Sequence, residues 1–376
     1  MMRMLNAAVI TTMSLMLSAA TSAKPNPLQP LADALVARDP AIPSVVMRAL
    51  SPSASIDWTA AAAGERETGP TPLADRPFRI ASTTKLFIGA VVLRLVEDNR
   101  LNLDSSLAEL VSASTADALR RGGHDPGQIT IRHLLSHTAG LPDHSQMKAF
   151  AAAISTNPQR RWQRDEQIAL AMDGTRPLGQ PGQIWSYSDT GYLILGEVIE
   201  RRTGQSLAEA TRALLPLDRL GLADTWFETL EAPPRPQGTP PRLAQYMGEV
   251  DMTLADPSFD LWGGGGLVST VGDLTLFMRA MLDGKVFRNP ETLQRALAAP
   301  RPVAPGADTR HGLILFHDRF AGHECFGHAG FWNVDLVACP DLDLVMALSL
   351  NQPMTSQPDA RRQLVTAIVT AVKNAR

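Results

Sequence analysis

The sequence predicts an α+β fold: an antiparallel sheet formed by the N- and C-terminal segments, flanked by helices, with a mainly helical domain inserted between them. Short runs at 45–47 and 55–58 have the residue types of strands and precede a long helical pattern. Near the C-terminus the period changes, and successive strands are predicted at 310–316, 324–328, 334–338 and 344–348. Strands at both ends with helices in the middle favour one sheet that joins the two ends.

Helices are expected to cover this sheet. Leu28, Leu31 and Leu35 follow helical spacing and predict a first helix. The last segment places apolar residues on one helical face, at Leu364, Val365, Ile368, Val369 and Val372. We therefore assign 28–75 and 303–376 to an α/β lobe and 76–302 to a helical lobe.

The N-terminus has the pattern of a secretory signal peptide. Arg3 supplies a positive start, an apolar stretch follows from Ala7, and small residues fill 18–23. The apolar stretch is too short to span a bilayer as a stop-transfer helix, and an uncleaved anchor is the alternative. We predict cleavage near Ala23, so that 1–23 is the signal peptide and the mature chain is secreted or periplasmic.

Charge and hydropathy exclude several classes of partner. The net charge is −3 over 376 residues and there is no basic block, so a nucleic-acid partner is not expected. No other segment approaches ~20 uninterrupted apolar residues, so the mature chain should contain no membrane span. Nothing in the sequence indicates an oligomeric state.

Two cysteines, Cys325 and Cys339, lie at equal distances on either side of Trp332. A hairpin turn is expected at 331–333, which would make the cysteines cross-strand partners. In an exported protein they could form a disulfide, and two buried thiols are the alternative. Their spacing supports neither a metal site nor a redox site.

The strongest chemical signal is the segment 78–85, in which Ser82 and Lys85 stand three residues apart at the start of an apolar helical run. Residues i and i+3 lie on one helix face, so the hydroxyl and the amine can form a hydrogen bond. A serine hydroxyl needs a nearby base to become a nucleophile, and a desolvated lysine near a helix N-terminus can act as that base. Alone the pattern is weak, since a capped helix start with a surface lysine would look the same.

Two companion motifs strengthen this interpretation, a Tyr-Ser-Asp segment at 187–189 and a His-Ala-Gly segment at 328–330. In their order along the chain, the three motifs resemble those of the serine beta-lactamase and penicillin-binding-protein superfamily. The segments 134–142 and 264–270 are also similar to loops of that family. The chain looks most like the branch of class C beta-lactamases and D-alanyl-D-alanine carboxypeptidases, which also contains esterases and D-amino-acid amidases. The resemblance covers nearly the whole mature chain and implies a two-lobed, beta-lactamase/transpeptidase-like fold with the site between the lobes.

The resemblance also implies catalytic roles. Ser82 would be the nucleophile that forms an acyl-enzyme, and Lys85 would share its proton or favour its loss. Tyr187, at the tyrosine position of the family's Tyr-x-Asn motif, is the candidate general base. Because a free tyrosine has a pKa near ~10, Tyr187 needs a neighbouring positive charge, which Lys85 could supply. The backbone N–H groups of Ser82 and Phe331 would form the oxyanion hole.

The sequence departs from the family pattern at Asp189, where Asn is usual. An ionised carboxylate cannot donate a hydrogen bond to the acyl amide of a penicillin-like substrate. It also favours a charged Lys85, which places the base role on Tyr187. We therefore expect Asp189 to shift substrate preference toward esters or toward substrates with a free amine.

A second departure lies in the strand expected to border the cleft, at residues assigned to substrate binding. His328, Ala329 and Gly330 stand where beta-lactamases of this branch usually have Lys-Thr-Gly. A histidine there is more typical of carboxypeptidase and esterase members, and Ala329 lacks a hydroxyl for a substrate carboxylate. Gly330 is expected to let the strand backbone approach the substrate closely.

These observations predict an exported serine hydrolase that cleaves an ester or amide, such as a D-alanyl peptide or an ester-type substrate, through an acyl-serine. No metal or organic cofactor is expected, and His133 and His137 lack the His-Glu-x-x-His pattern of a zinc site. A true class C-like beta-lactamase is the alternative within enzymes. A non-catalytic acyl-binding or cell-wall-binding protein on the same fold is the alternative of another class, and a zinc hydrolase is a more distant one.

Overall fold

The computed structural model describes residues 25–69, 73–234, 238, 240–356 and 359–376. The predicted signal peptide at 1–23 lies outside these ranges. Within them, no helix combines the length and the apolar character needed to cross a membrane.

Most helices lie between the N-terminal strands and the C-terminal sheet. In chain order the helices are α1 (Leu28–Arg38), α2 (Thr84–Glu97), α3 (Ala113–Arg121), α4 (Ile131–Leu135), α5 (Lys148–Thr156), α6 (Arg164–Met172), α7 (Asp189–Thr203), α8 (Leu207–Leu214), α9 (Val271–Leu282), α10 (Pro290–Leu297) and α11 (Ala360–Ala375). α2 is buried on all sides from its first residue to Leu95. A helix that is apolar all round belongs in the centre of a core.

The strands fall mainly at the two ends of the chain. In chain order they are β1 (Ser44–Ser51), β2 (Ile56–Ala63), β3 (Phe78–Arg79), β4 (Trp226–Phe227), β5 (Tyr246–Met247), β6 (Val250–Asp251), β7 (Leu267–Ser269), β8 (Arg301–Pro302), β9 (Arg310–His311), β10 (Phe316–Phe320), β11 (His323–Gly330), β12 (Val334–Cys339) and β13 (Leu344–Ser349). The short strands β3, β7 and β4 form a small sheet beside the start of α2.

Both ends of the chain contribute to one large sheet. In the described ranges its strand order is β2-β1-β13-β12-β11-β10-β9-β8, with every neighbouring pair antiparallel. β1 pairs directly with β13, which places Val46 opposite Ser349 and Leu50 opposite Val345. The predicted α+β architecture, an antiparallel sheet formed by the two terminal segments, is confirmed.

Alternation along the strands sends side chains to two apolar cores. Leu344, Met346 and Leu348 of β13 pack with α1 and α11 on one face of the sheet. Val345 and Ala347 point to the other face and pack in the core that surrounds α2. The site described below therefore sits on the α2 side of the sheet.

One predicted strand is wrong in extent. The run 310–316 is divided between β9, which ends at His311, and β10, which begins at Phe316. The intervening Ile314 is buried against Gly89 of α2, where an added Cβ would lie 2.6 Å from Ile314 Cγ2. Packing under α2 thus takes these apolar residues out of the sheet, and their pattern alone cannot distinguish this from a strand.

The two cysteines lie on β11 and β12 and form a disulfide in the structure, with a Cα–Cα distance of 4.3 Å. Cys325 and Cys339 stand one step beyond the paired residues Phe326 and Ala338. Both sulfur atoms belong to the core on the α1 and α11 face. The bond therefore joins the two strands at the end opposite the hairpin turn.

Candidate active site

Ser82 lies on a short 3-10 turn between β3 and α2, so it precedes the helix that the sequence predicts it to open. Ala81 in this turn has a φ of 46°, a left-handed conformation that costs a residue with a Cβ about 1–2 kcal/mol. The turn is tied to β7, because the Ile80 N–H donates to the Leu267 carbonyl oxygen at 3.0 Å. The small sheet thus supports the strained backbone beside Ser82.

Lys85 lies one helical turn further and has no exposed surface. Its Nζ donates to Ser82 Oγ at 3.0 Å, as the i, i+3 spacing predicts. The same Nζ lies 2.5 Å from Asp189 Oδ1 and also donates to the Gly264 carbonyl oxygen. A buried cation requires such partners, since desolvation of an unpaired charge is costly. Lys85 is therefore held in place by groups from three separate segments.

Asp189 is the first residue of α7, so its carboxylate lies at the positive end of that helix. Burial acts to raise the pKa of Asp189, but the charge and hydrogen bond of Lys85, together with His144 and Ser145, outweigh it and hold the pKa below its ordinary value. Asp189 is therefore an ionised partner of Lys85 in the structure.

Tyr187 lies in the irregular segment just before α7, and its hydroxyl lies close enough to the Ser82 side chain for the two to interact. Its ring centroid lies 5.2 Å from Lys85 Nζ. Ser82 is thus in contact with both Lys85 and Tyr187. The three residues that the sequence predicts as catalytic meet at one point.

The pKa of Tyr187 is set by its surroundings in the structure. Burial raises the pKa of the Tyr187 hydroxyl well above its ordinary value, and the negative charge of Asp189 raises it further, while the nearby Ser82 side chain acts in the other direction. Burial is the largest of these effects and the charge of Asp189 adds to it, so the base role that the sequence assigns to Tyr187 beside Lys85 stays a prediction. Tyr187 is a neutral phenol at rest.

His328 and Ala329 of β11 border the same site. His328 is buried, and its Nδ1 donates to the Ala329 carbonyl oxygen at 2.7 Å. Burial, with a contribution from the charge of Lys85, lowers the pKa of His328 to about 3. The imidazole is therefore neutral and cannot supply the positive charge that a lysine would supply at this position.

Gly330 makes a close contact that the sequence does not predict. A Cβ added to Gly330 would lie 2.3 Å from the Ile80 carbonyl oxygen and 3.1 Å from Thr83 Oγ1. The strand backbone therefore lies against the turn that carries Ser82, and the expected approach of Gly330 to substrate stays a prediction. A glycine is required at this position because the Cβ of any other residue would overlap the Ile80 carbonyl oxygen.

A cavity of about 590 Å³ opens beside these groups. Of the predicted site residues, its wall includes Ser82, Tyr187, Asp189, His328, Ala329 and Phe331. Other parts of the wall are apolar and include Phe150, Ile154, Leu193, Met247, Phe259 and Phe316. Ser82 Oγ is thus the nucleophile candidate at the edge of a pocket with a polar floor and apolar sides.

Asp260 also lines this cavity, and the sequence offers no signal for it. Its carboxylate lies over Gly265, where an added Cβ would be 2.3 Å from Oδ1. Burial raises the pKa of Asp260 to about 7, and the nearby charge of Asp189 contributes. Across the described ranges, no three His, Cys, Asp or Glu side chains are grouped so as to hold a metal ion.

A family model described as Beta-lactamase matches residues 32–370, which is most of the chain. The chain belongs to the beta-lactamase family. The resemblance predicted from the three motifs is therefore confirmed. The match includes both terminal segments of the large sheet and every residue of the candidate site.

Curated relatives of this beta-lactamase family chain have several activities. Esterase EstB of Burkholderia gladioli is 32% identical over 274 residues, which cover 65% of this chain and 67% of the relative. A putative D-alanyl-D-alanine carboxypeptidase of Escherichia coli O157:H7 is 24% identical over 326 residues, covering 76% and 71%. The family membership thus establishes a serine-hydrolase superfamily and leaves the substrate open.

Solved structures of the family share the fold. A D-stereospecific amidohydrolase from Streptomyces sp. has a TM-score of 0.73 at 26% identity, covering 86% of this chain and 93% of that one. D-amino acid amidase from Ochrobactrum anthropi SV3 has a TM-score of 0.77 at 24% identity, covering 93% and 98%. The second similarity concerns the fold alone.

In this beta-lactamase family member, the structure brings three groups to the site that the sequence does not identify as site residues. The Gly264 carbonyl oxygen accepts from Lys85, and Asp260 lines the cavity. His137 stacks on Tyr187 with ring centroids 4.3 Å apart. The segments 134–142 and 264–270 are noted for their resemblance, but neither motif says which of its atoms reaches the site.

Proposed function

We propose that the chain is an exported serine hydrolase that cleaves an ester or an amide through an acyl-enzyme on Ser82. The observation that carries this proposal is the position of Ser82 Oγ, 3.0 Å from the buried Lys85 Nζ and beside the Tyr187 hydroxyl at the wall of the cavity. A nucleophile, a cation and a proton carrier in contact are the requirements of acyl transfer by serine.

The environment of Tyr187 supports a proton shuttle. Ser82 Oγ attacks the substrate carbonyl carbon, and the Oγ–H proton passes to the Tyr187 oxygen. Tyr187 gives its own proton to the leaving oxygen or nitrogen as that bond to carbon breaks. Because the pKa of Tyr187 is raised by burial, a neutral phenol that accepts and donates together fits the site better than a resting phenolate.

Two further groups stabilise charge in this proposal. The Lys85 ammonium lies next to Ser82 Oγ and stabilises negative charge that develops there during attack. The backbone N–H groups of Ser82 and Phe331 are proposed as the oxyanion hole, since both residues line the cavity. Water then attacks the acyl-enzyme by the same route and releases Ser82.

Direct detection of the acyl-enzyme tests this function. The purified chain is mixed with p-nitrophenyl acetate, a D-alanyl-D-alanine peptide and a penicillin, and product release is followed beside intact mass. We expect ester turnover and a transient mass increase of one acyl group on the peptide that contains Ser82. Faster turnover of the penicillin would favour a beta-lactamase, and a permanent adduct would favour a non-catalytic acyl-binding protein.

The cavity wall indicates which substrates within this class are preferred. Two carboxylates, Asp189 and Asp260, face the cavity, and its described wall contains no lysine or arginine. Such a wall does not attract the terminal carboxylate of a D-alanyl-D-alanine peptide. We propose that the preferred substrates are esters or amides whose acyl part carries a free amine and an apolar side chain.

Asp260→Asn tests this preference. We expect KM for D-phenylalanine p-nitroanilide to rise about 10-fold, because a charge-assisted hydrogen bond to the substrate ammonium is lost. KM for p-nitrophenyl butyrate, which has no amine, should not change. Because burial raises the pKa of Asp260 to about 7, the wild-type carboxylate is charged only above that pH, so affinity for the amine substrate should increase through it.

The matched control is Asp256→Asn, since Asp256 lies on the same loop and caps it through the Ser258 N–H, outside the cavity wall. This control should leave both KM values unchanged. Asp189→Asn provides a second comparison at the carboxylate next to Lys85. An unchanged ranking of amine-bearing and neutral substrates in both Asp260→Asn and Asp189→Asn would contradict the proposed preference.

We also propose that the chain is exported and loses residues 1–23. The disulfide between Cys325 and Cys339 fits this proposal, since disulfides persist in oxidising compartments. The proposed substrates are small molecules or peptidoglycan-type peptides and esters that are present there.

A further inference from the structure

The segment that carries Tyr187 has no regular secondary structure of its own. Residues 184–188 form neither a helix nor a strand, and Tyr187 lies within this segment, two residues before α7 begins. A catalytic side chain on such a segment needs other parts of the chain to hold it. Three of the contacts that do so come from one residue, His137, in a segment that the proposed mechanism does not use.

His137 contacts both neighbours of Tyr187 and Tyr187 itself. The Ser186 N–H donates to the His137 carbonyl oxygen at 2.8 Å. The Ser188 N–H donates to His137 Nδ1 at 3.2 Å. The imidazole stacks on the Tyr187 ring, with centroids 4.3 Å apart and an angle of 30° between the rings. One residue thus fixes the backbone on both sides of Tyr187 and limits the position of its ring.

His137 adopts this position at an energetic cost. It follows the C-cap of α4 with a φ of 55°, in the left-handed region. The His137 N–H donates to Leu134 O and the Thr138 N–H donates to His133 O, which is the hydrogen-bond pattern of a Schellman motif. Glycine is the least strained residue at this position. The histidine side chain instead brings a ring and an acceptor to Tyr187.

The imidazole of His137 is suited to this role because it is neutral. His137 is buried, and burial lowers its pKa well below the ordinary value, with contributions from the charges of His311 and Lys85. Since Nδ1 accepts from the Ser188 N–H, the ring proton resides on Nε2. The ring therefore supports Tyr187 without adding charge beside Lys85.

We propose that His137 is a positioning residue for Tyr187: its carbonyl oxygen and Nδ1 hold the amides of Ser186 and Ser188, and its ring holds the tyrosine ring against Ser82. This inference rests on the proposed role of Tyr187 in proton transfer. His137 is not among the residues that line the cavity, so it acts on the reaction only through the position of Tyr187.

The test compares two substitutions that remove different parts of His137. His137→Phe keeps an aromatic ring and removes the Nδ1 acceptor, whereas His137→Asn keeps a side-chain acceptor and tolerates a positive φ. We expect His137→Phe to lower kcat for p-nitrophenyl butyrate about 10- to 100-fold, with KM within about 2-fold of wild type, because a small misplacement of a catalytic group has effects of this size. His137→Asn should recover kcat to within about 5-fold of wild type.

The control is His124→Asn. His124 is also a buried histidine, but it lies just after α3, outside the cavity wall. Its substitution should lower the unfolding midpoint and leave kcat unchanged. A kcat for His137→Phe equal to that of wild type, or a loss no larger than in His124→Asn, would overturn the positioning role.

A second measurement remains decisive if His137→Phe does not fold. His137→Asn and His137→Gly, which relieves the left-handed backbone, are then each combined with Tyr187→Phe. If His137 acts through Tyr187, substitution at 137 lowers kcat in wild type and has little further effect in Tyr187→Phe. Equal fold losses in both backgrounds would overturn the inference. The wild-type enzyme must first show turnover that Ser82→Ala abolishes. Without that turnover the proposed function is refuted, and this result is distinct from a failure of the role of His137.

Discussion

Replacing Ser82 with alanine should lower kcat for ester and amide hydrolysis by at least about 10⁴-fold, the largest effect expected of any single substitution in this chain. The reason is that Ser82 Oγ is the hydroxyl in contact with both Lys85 and Tyr187 at the cavity wall. Without it no acyl-enzyme can form. The measurement is the initial rate with p-nitrophenyl acetate and with an amino-acid p-nitroanilide, beside intact mass.

Ser155→Ala is the matched control, because Ser155 is another serine on the wall of the same cavity. It should retain the wild-type kcat and the wild-type acyl adduct. Thermal unfolding of both variants would establish that Ser82→Ala is folded. Equal turnover in Ser82→Ala and wild type would refute the acyl-serine mechanism and favour the binding-protein alternative.

Replacing Tyr187 with phenylalanine should lower kcat about 10²- to 10⁴-fold with little change in KM. The substitution removes the hydroxyl that lies beside Ser82 and keeps the ring that stacks on His137. Since burial raises the pKa of Tyr187 well above its ordinary value, the wild-type rate should show no ionisation of this tyrosine at neutral pH. The measurement is kcat and KM across the neutral pH range for both proteins.

Tyr192→Phe is the control for this prediction. Its ring centroid lies 5.4 Å from Lys85 Nζ, close to the corresponding distance for Tyr187, but its hydroxyl donates to the Leu135 carbonyl oxygen at 3.1 Å. Loss of that buried hydrogen bond should cost about 1 kcal/mol of stability and leave kcat unchanged. A Tyr187→Phe enzyme with more than about a tenth of the wild-type kcat would contradict the shuttle role.

Features that depend on neighbouring residues could be predicted from the sequence. The contact between Ser82 and Lys85 follows from their i, i+3 spacing, and the terminal strands follow from runs of strand-forming residues. The ion pair between Lys85 and Asp189 could also be predicted, because the resemblance places both residues in one site. The division of 310–316 into two strands could not be predicted, since it is decided by the packing of Ile314 against α2.

Features that depend on distant parts of the chain required the structure. Asp260 and His137 carry no local signal for the site, because a lone carboxylate in a loop and a histidine after a short helix have many uses. The pKa of Tyr187 also depends on burial and on the charge of Asp189, which are consequences of packing. Burial is the largest cause of its upward direction.

The sequence by itself determined the α+β class, the membership in the superfamily and the identity of the candidate nucleophile, because these depend on periodicity and on short motifs. Only the tertiary structure decided how Gly330 supports the Ser82 turn, which carboxylates face the cavity and which residue holds Tyr187. Those contacts join residues that lie far apart in the chain, and their free energies depend on burial and distance, which a linear sequence does not contain.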